Sequence, residues 1–222
     1  MMELGSFKSL LEDLKKIPTP SLSDALDVIG IRGFMSHEIR PCLRNVKIVG
    51  PAVTVKDVLS EKKSLIPKAL EAIDNANLGD IYVRVIEGAH EESRDIALFG
   101  GLMALGSKMK GLAGAVVDGG ARDITEYEEM GFPVFSTSIV PTNTVGRTEV
   151  VDINVPVRCG GIMVNPGDVI VGDNDGVVVI PRDKLEQVVE LANGMDEKER
   201  KMTKELKQGR SLLETVNKYS RI

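Results

Sequence analysis

The sequence predicts an α/β fold: one domain with a mixed sheet and helices at both ends. Between residues 47 and 136, predicted strands alternate with predicted helices, which is typical of a parallel or mostly parallel sheet. After Pro141, short strands alternate with turns rich in Gly and Asp, which indicate antiparallel hairpins added to the same unit. Apolar residues make up 42% of the 222 residues and aromatic residues only 4%, so the core is aliphatic, as suits a sheet covered by helices.

The N-terminal half begins with two predicted helices. Phe7, Leu10, Leu11 and Leu14 lie at helical spacing, and Pro18 and Pro20 are expected to end that helix. Ser21 or Ser23 is expected to cap a second helix over residues 24–29, which ends at Gly30. Further helices are predicted over residues 65–75, 101–110 and 121–130. Strands are predicted over residues 47–55, entered through a Gly-Pro turn, over 80–86, over 112–117 before a turn at 118–120, and over 133–136.

The C-terminal part is predicted to form four short strands and a long charged helix. The strands are residues 150–157, 161–164, 169–172 and 176–180. The helix begins near Arg182 and is almost wholly polar beyond Asp196, so it is either a solvated arm or a packing element against another subunit; we favour the second. We expect a single domain over residues 1–222, with a core at about 17–181 and a C-terminal helical arm at 182–222.

Charge and cysteine content exclude several classes of function. The net charge is −5 without a cluster of Lys and Arg, which argues against nucleic acid as a direct ligand. Cys42 and Cys159 are too few for a disulfide framework, and we favour two free thiols in a reducing compartment over one buried bridge. Residues 1–16 lack the apolar core of a signal peptide, and no segment offers about 20 uncharged apolar residues for a membrane span. We therefore expect a cytoplasmic protein without a membrane partner.

The first candidate site is a pair of glycines that opens a helix. Gly100 and Gly101 lack side chains, so a ligand could approach the backbone, and the N–H groups of the first helical turn form an anion site. A substrate carboxylate would bind there without Lys or Arg. The alternative is a plain glycine turn before a packing helix.

The second candidate site follows the buried strand that ends at Val117. Its polar residues emerge at the carboxyl end of the sheet, where open α/β sheets bind ligands. Arg122, Asp123 and Glu126 are expected in the first turn of the next helix, on one side of it. One guanidinium beside two carboxylates suits a hard divalent cation and a polarised carbonyl. The alternative is an acidic helix start with a local salt bridge.

The two sites together resemble the 2-oxo-acid-binding motif of a known family. Twenty residues separate Gly101 from Arg122-Asp123, and two more separate that pair from Glu126. This spacing is similar to that of the 4-hydroxy-4-methyl-2-oxoglutarate aldolases and the regulator of ribonuclease activity A (RraA-like) proteins. Matching segments lie at residues 19–26, 50–55, 164–168 and 172–181, and the resemblance extends from about residue 17 to 200.

The resemblance implies a fold, an assembly and a set of ligands. The fold would be a swivelling β/β/α-type domain, assembled as a homotrimer or as a hexamer of two trimers, with sites at subunit interfaces. Arg122 would be the catalytic residue and bind the keto oxygen, Asp123 would hold Mg²⁺ or Mn²⁺, and Glu126 would contribute to the metal shell. The carboxylate of a pyruvate-like substrate would be held by the backbone amides of Gly100, Gly101, Leu102 and Met103.

The implied activity is that of a metal-dependent carbon–carbon lyase on a small 2-oxo acid. It would be an aldolase of the 4-hydroxy-4-methyl-2-oxoglutarate type, an oxaloacetate decarboxylase, or both. Cleavage beside the keto carbon leaves an enolate, whose negative charge a cation and Arg122 stabilise better than the neutral ketone. The alternative function implied by the RraA-like branch is a regulatory protein that binds and inhibits a ribonuclease, with incidental lyase activity.

The expected site also depends on position 101 and on two further residues. Some aldolases of the family place an acidic residue at the position of Gly101, and Glu126 is expected to take over part of that role here. Glu199 from a neighbouring subunit is a weaker candidate metal ligand. Arg147 is a candidate contact for a substrate carboxylate, with a surface loop arginine as the alternative.

Overall fold

The computed structural model describes residues 4–63, 66–89 and 91–219. The α-helices of this part of the chain are α1 (Leu4–Leu14), α2 (Thr19–Val28), α3 (Pro67–Asp74), α4 (Gly101–Lys110), α5 (Ile124–Met130), α6 (Leu185–Lys207) and α7 (Leu212–Tyr219). The strands are β1 (Arg40–Pro41), β2 (Ile48–Leu59), β3 (Ile81–Ile86), β4 (Ala97–Phe99), β5 (Gly114–Ala121), β6 (Val134–Ile139), β7 (Thr148–Ile153), β8 (Val157–Cys159), β9 (Ile162–Val164), β10 (Val169–Asp173) and β11 (Gly176–Ile180). Two short 3₁₀ helices, Glu92–Asp95 and Arg182–Lys184, precede β4 and α6.

The predicted mixed sheet is confirmed. Nine of the strands form one sheet in the order β1-β6-β5-β3-β2-β10-β11, with β4 beside β5 and β7 beside β2. Strands β2, β3, β5 and β6 are parallel, whereas β1, β7, β10 and β11 pair antiparallel. Arg40 at one end of the order donates a hydrogen bond of 3.0 Å to the Asp175 carbonyl at the other end, so the sheet is nearly closed. The β8–β9 hairpin stands apart as a second, two-stranded sheet.

Three apolar clusters form the core in the part of the chain that the structure describes. One lies between the sheet and helices α3, α4 and α5 and contains the aromatic side chains of Tyr82, Phe99, Tyr127 and Phe132. The second lies under α1, α2 and α6, and the third fills the inside of the curled sheet around Phe135. None of the helices in the described ranges is long and apolar enough to cross a membrane.

Both glycine-containing turns that were predicted inside the sheet are wrong. Gly50 lies within β2, and a Cβ atom there would lie 2.0 Å from the Gly79 carbonyl oxygen. Gly119 and Gly120 lie within β5, where a Cβ atom would meet Leu98 Cδ1 at 2.7 Å or Ile96 O at 3.0 Å. In each case the glycine is needed because another part of the backbone or core approaches closely, and the chain continues as a strand.

The second helix also differs from the prediction, because its cap comes from a distant residue. Helix α2 begins at Thr19, with Pro20 in its first turn, and neither Ser21 nor Ser23 caps it. Asp173 accepts hydrogen bonds from the Thr19 N–H at 2.9 Å and the Thr19 hydroxyl at 2.6 Å. Burial opposes ionisation of Asp173, but these bonds and the nearby Lys47 ammonium outweigh it and hold the pKa of the carboxyl below its usual range.

The C-terminal arm is two helices and not the single one predicted. Gly209, with φ of +87°, ends α6 and reverses the chain, as glycine does after many helices. Glu205 of α6 accepts hydrogen bonds from Lys218 and from the Tyr219 hydroxyl, which hold α7 against α6. The predicted helix over residues 65–75 is α3, and residue 65 lies outside the described residues.

A buried ion pair joins the strands that precede the candidate site. Arg84 and Asp57 have fully buried side chains and form two hydrogen bonds, of 2.9 and 2.6 Å. The Thr148 hydroxyl donates to Asp57 at 2.8 Å, and Arg84 Nη1 donates to the Leu98 carbonyl at 2.8 Å. Because Leu98 is in β4, the pair ties β2, β3 and β7 to the strand that leads into Gly100.

Removing Arg84 alone should strongly destabilise the fold. The Arg84→Met variant leaves a buried carboxylate without a counter-charge, so we expect the free energy of unfolding to fall by about 3–5 kcal/mol. The double variant Arg84→Met/Asp57→Leu should be more stable than Arg84→Met, because both charges are gone. Urea unfolding of both variants measures this. A loss below about 1 kcal/mol for Arg84→Met would contradict the account, since that is the range of an exposed pair.

Candidate active site

Two backbone turns meet at one edge of the sheet. Strands β4 and β5 are parallel neighbours, so the turn after Phe99 and the turn after Ala121 emerge side by side. The Arg122 N–H donates to the Phe99 carbonyl at 3.1 Å. The Gly101 N–H donates to Asp123 Oδ2 at 2.9 Å, so the two sequence-predicted segments are bonded to each other.

The acidic residues do not lie as predicted in one helical turn. Helix α5 begins at Ile124, and Asp123 is the residue that caps it, with φ of +63° in the left-handed region. Asp is one of the few residues other than Gly that adopt this conformation with some frequency. The conformation turns the chain sharply between strand and helix, and the Asp123 carboxylate faces the start of α4 instead of its own helix.

Both carboxylates face the glycine pair. A Cβ atom at Gly100 would lie 2.9 Å from Asp123 Oδ2 and 3.0 Å from Arg122 Nε. A Cβ atom at Gly101 would lie 1.8 Å from Glu126 Oε2. The Glu126 carboxylate therefore occupies the space that a side chain at position 101 would need.

Arg122 is held at the mouth of the same site. Its Nη1 donates to the Thr142 carbonyl at 3.2 Å, and its Nε lies 3.5 Å from Asp123 Oδ2. Thr142 is fixed in turn, because its hydroxyl donates to the Asp95 carbonyl at 2.6 Å and accepts from the Ala97 N–H at 3.1 Å. The Arg122 side chain is 40% exposed, so the guanidinium, with five donors in all, still faces the cleft.

An open cleft of about 810 Å³ contains all of these groups. Its polar side chains come from the end of α3, the turn between β5 and α5, α5 itself and the loop that precedes β7, and its apolar wall comes from α3, β4 and α4. The cleft is lined by Gly100, Gly101, Leu102, Met103, Arg122, Asp123 and Glu126, together with Ile66, Leu70, Asn143 and Thr144. The N–H groups of Leu102 and Met103 are in the first turn of α4 and have no acceptor within the helix, and such groups are available to an anion.

The structure thus brings together the seven residues that the sequence singled out in residues 100–126. Arg147 lies outside the cleft lining, is exposed, and donates to Asn143 and Val145 of its own loop. Glu199 is exposed on α6, which packs against α1 and α2 on another side of the sheet. Among the described residues, no group of three or more His, Cys, Asp or Glu side chains is placed to hold a metal ion.

The sequence did not predict the buried residues that donate hydrogen bonds to the backbone leading into the site. The Tyr127 hydroxyl donates to the Phe99 carbonyl at 3.0 Å, and Arg84 donates to the preceding carbonyl of Leu98. Burial raises the pKa of Tyr127, and the nearby Cys42 and Asp123 add to the effect, so the phenol stays protonated. Both acceptors are backbone atoms distant in sequence, and no motif signals such a contact.

Comparison with known proteins agrees with this fold. The family model of the RraA-like proteins (Aldolase/RraA) matches residues 19–179. A protein of Halalkalibacterium halodurans named "Putative 4-hydroxy-4-methyl-2-oxoglutarate aldolase" is 39% identical over 82% of this chain and 81% of its own. The crystal structure of an uncharacterized Pseudomonas syringae protein has a TM-score of 0.82 at 29% identity and covers 94% of this chain and 96% of its own.

A third relative comes from the regulatory branch. The structure of Streptomyces coelicolor RraAS2, described as an unusual member of the RNase ES inhibitor RraA protein family, has a TM-score of 0.75 at 26% identity. It covers 91% of this chain and 96% of its own. Since the family model spans most of the sequence, this chain belongs to the RraA-like family.

Proposed function

We propose that this protein is a divalent-metal-dependent carbon–carbon lyase that releases pyruvate from a small 2-oxo acid. The substrate is of the 4-hydroxy-4-methyl-2-oxoglutarate type, oxaloacetate, or both. The observation that carries the proposal is the convergence of an anion site, one guanidinium and two carboxylates on the Gly100-Gly101 turn. The name of the Halalkalibacterium halodurans relative supports the same class of substrate.

The donor set suits Mg²⁺ or Mn²⁺. Both are hard cations that bind carboxylate oxygens, and Mg²⁺ often uses one or two carboxylates and keeps several waters. Asp123 and Glu126 would hold the cation where they face the glycine pair. When bound, the cation supplies Lewis-acid polarisation of the substrate's keto group.

The residues of this chain then have separate roles. The N–H groups of Leu102 and Met103 bind the substrate carboxylate, whose charge does not change in the reaction. Arg122 donates to the keto oxygen, where negative charge develops as the carbon–carbon bond breaks. In aldol cleavage the hydroxyl proton is lost, a carbonyl compound leaves, and the pyruvate enolate takes a proton at C3. With oxaloacetate, carbon dioxide leaves and the same enolate is protonated.

We further propose that the single domain assembles as a homotrimer or hexamer with the cleft near a subunit interface. Large apolar side chains on and beside α4 support this, because Leu102 is 85% exposed and Met109 79%. Such an interface would also be needed for Glu199 of a neighbouring subunit to reach the metal shell.

The proposal predicts metal-dependent pyruvate release that requires Arg122. With Mg²⁺, the wild-type protein should release pyruvate faster than free Mg²⁺ alone, and EDTA should abolish the difference. The Arg122→Ala variant should lose about 10²–10³-fold in kcat, as expected when a donor to a developing oxyanion is removed. A coupled assay for pyruvate with each of the two substrates measures this.

A matched control is Arg158→Ala, which removes an exposed arginine on the β8–β9 hairpin. Its rate should equal that of the wild type. If neither substrate gives enzyme-dependent pyruvate, the choice of substrates is wrong, and the regulatory alternative, ribonuclease binding that survives EDTA and Arg122→Ala, takes its place.

Because Glu126 occupies the space beside Gly101, substitutions at either position should change metal binding. Glu126→Ala should weaken Mn²⁺ binding by about tenfold or more. Gly101→Ala should weaken it similarly, because the new methyl group displaces the Glu126 carboxylate. The double variant Gly101→Asp/Glu126→Ala should recover part of the affinity, because it moves a carboxylate from α5 to α4.

Isothermal titration with Mn²⁺ measures these affinities. Glu129→Ala serves as the control, because Glu129 is an exposed carboxylate of the same helix outside the cleft. Unchanged Mn²⁺ affinity in both Glu126→Ala and Gly101→Ala would show that Glu126 is not a metal ligand.

A further inference from the structure

The peptide group between Phe99 and Gly100 is held from two directions. Its carbonyl oxygen accepts the Arg122 N–H at 3.1 Å and the Tyr127 hydroxyl at 3.0 Å. From this geometry we propose that Tyr127 is a positioning residue, which fixes the Gly100-Gly101 turn and thereby sets the affinity for the substrate's carboxylate. The effect on substrate affinity rests on the proposed function, whereas the effect on the turn does not.

The Tyr127 hydroxyl lies within hydrogen-bond distance of this peptide group and is shielded from solvent. Tyr127 is fully buried on α5, one helical turn after Asp123. Its ring packs against Phe99 with a centroid separation of 6.2 Å. Phe99 also packs against Tyr82 and Phe132, so the ring cluster holds the side chain of Phe99 while Tyr127 holds its carbonyl.

The constraint matters because the next two residues are glycines. Glycine has the largest conformational freedom of any residue, so the Gly100-Gly101 backbone needs external contacts to keep one orientation. Two donors on the two lone pairs of one carbonyl fix the plane of the peptide that enters the turn. The N–H groups of Leu102 and Met103 lie two and three peptide groups further along, in the first turn of α4, so their direction depends on how that plane orients the start of the helix.

Loss of carboxylate binding at the Gly100-Gly101 turn and loss of Arg122 should have different effects on KM and kcat. The substrate carboxylate carries the same charge in the ground state and in the transition state, so loosening its site weakens both states equally. Such a change raises KM and leaves kcat almost unchanged. Arg122, by contrast, acts on an oxygen whose charge develops during the reaction, and its loss lowers kcat.

The test compares Tyr127→Phe with Tyr82→Phe. Tyr82 is equally buried and belongs to the same ring cluster, but its hydroxyl faces the Ala69 carbonyl of α3 at 3.5 Å and the Arg84 guanidinium, and not the Gly100-Gly101 turn. Each variant removes one buried hydroxyl without changing the ring. We expect similar changes in melting temperature, about 2–4 °C for one lost hydrogen bond in a chain of this size.

Hydrogen exchange and kinetics then distinguish a positioning role from a general structural one. In Tyr127→Phe, amide exchange of residues 99–104 should be faster than in Tyr82→Phe. With oxaloacetate or the hydroxy acid, KM should rise about five- to tenfold while kcat stays within about twofold. Tyr82→Phe should keep the wild-type KM.

Two results would overturn the proposal. One is equal exchange of residues 99–104 in the two variants, and the other is a fall in kcat without a change in KM for Tyr127→Phe. If the wild-type protein releases no pyruvate, the proposed function is wrong, and the exchange measurement, which needs no turnover, still decides whether Tyr127 holds the turn.

Discussion

A side chain at position 101 would need the space that Glu126 occupies, since a Cβ atom there would lie 1.8 Å from Glu126 Oε2. The missing side chains of Gly100 and Gly101 let the turn after β5 approach the turn after β4 until the Gly101 N–H bonds to Asp123. Every group of the proposed mechanism depends on this approach. The start of α4 presents backbone N–H groups, and the facing turn and the start of α5 present one guanidinium and two carboxylates. In the proposed mechanism these groups hold a metal and a 2-oxo acid together without a lysine.

Local signals predicted most of the elements, and contacts between distant segments account for the errors. Helix α4 begins and ends at the predicted residues, because apolar spacing and flanking glycines mark it within one stretch of sequence. The Gly119-Gly120 pair was interpreted as a turn, although a glycine pair can mark either a turn or the close approach of another segment. The packing of Leu98, from the neighbouring strand β4, shows that the pair marks a close approach. Likewise, α2 is capped by Asp173, a partner that lies 154 residues away.

The residues of the candidate site also fall into those that the sequence predicted and those that it did not. Gly100, Gly101, Arg122, Asp123 and Glu126, which line the cleft, were singled out from their types and spacing, because the chemistry of these residue types is visible in the sequence. The residues behind them were not, because they act on backbone carbonyls. A buried tyrosine and a buried arginine look like core residues in the sequence, and their acceptors are set by the strand order of the sheet.

The most direct test of the central claim is a crystal structure of the protein with Mn²⁺ and oxalate, a mimic of the pyruvate enolate. We expect anomalous density for Mn²⁺ beside the Asp123 and Glu126 carboxylates. We also expect one end of oxalate at the N–H groups of Leu102 and Met103, with another oxygen facing Arg122. Mn²⁺ bound away from both carboxylates, or oxalate outside the cleft, would contradict the account.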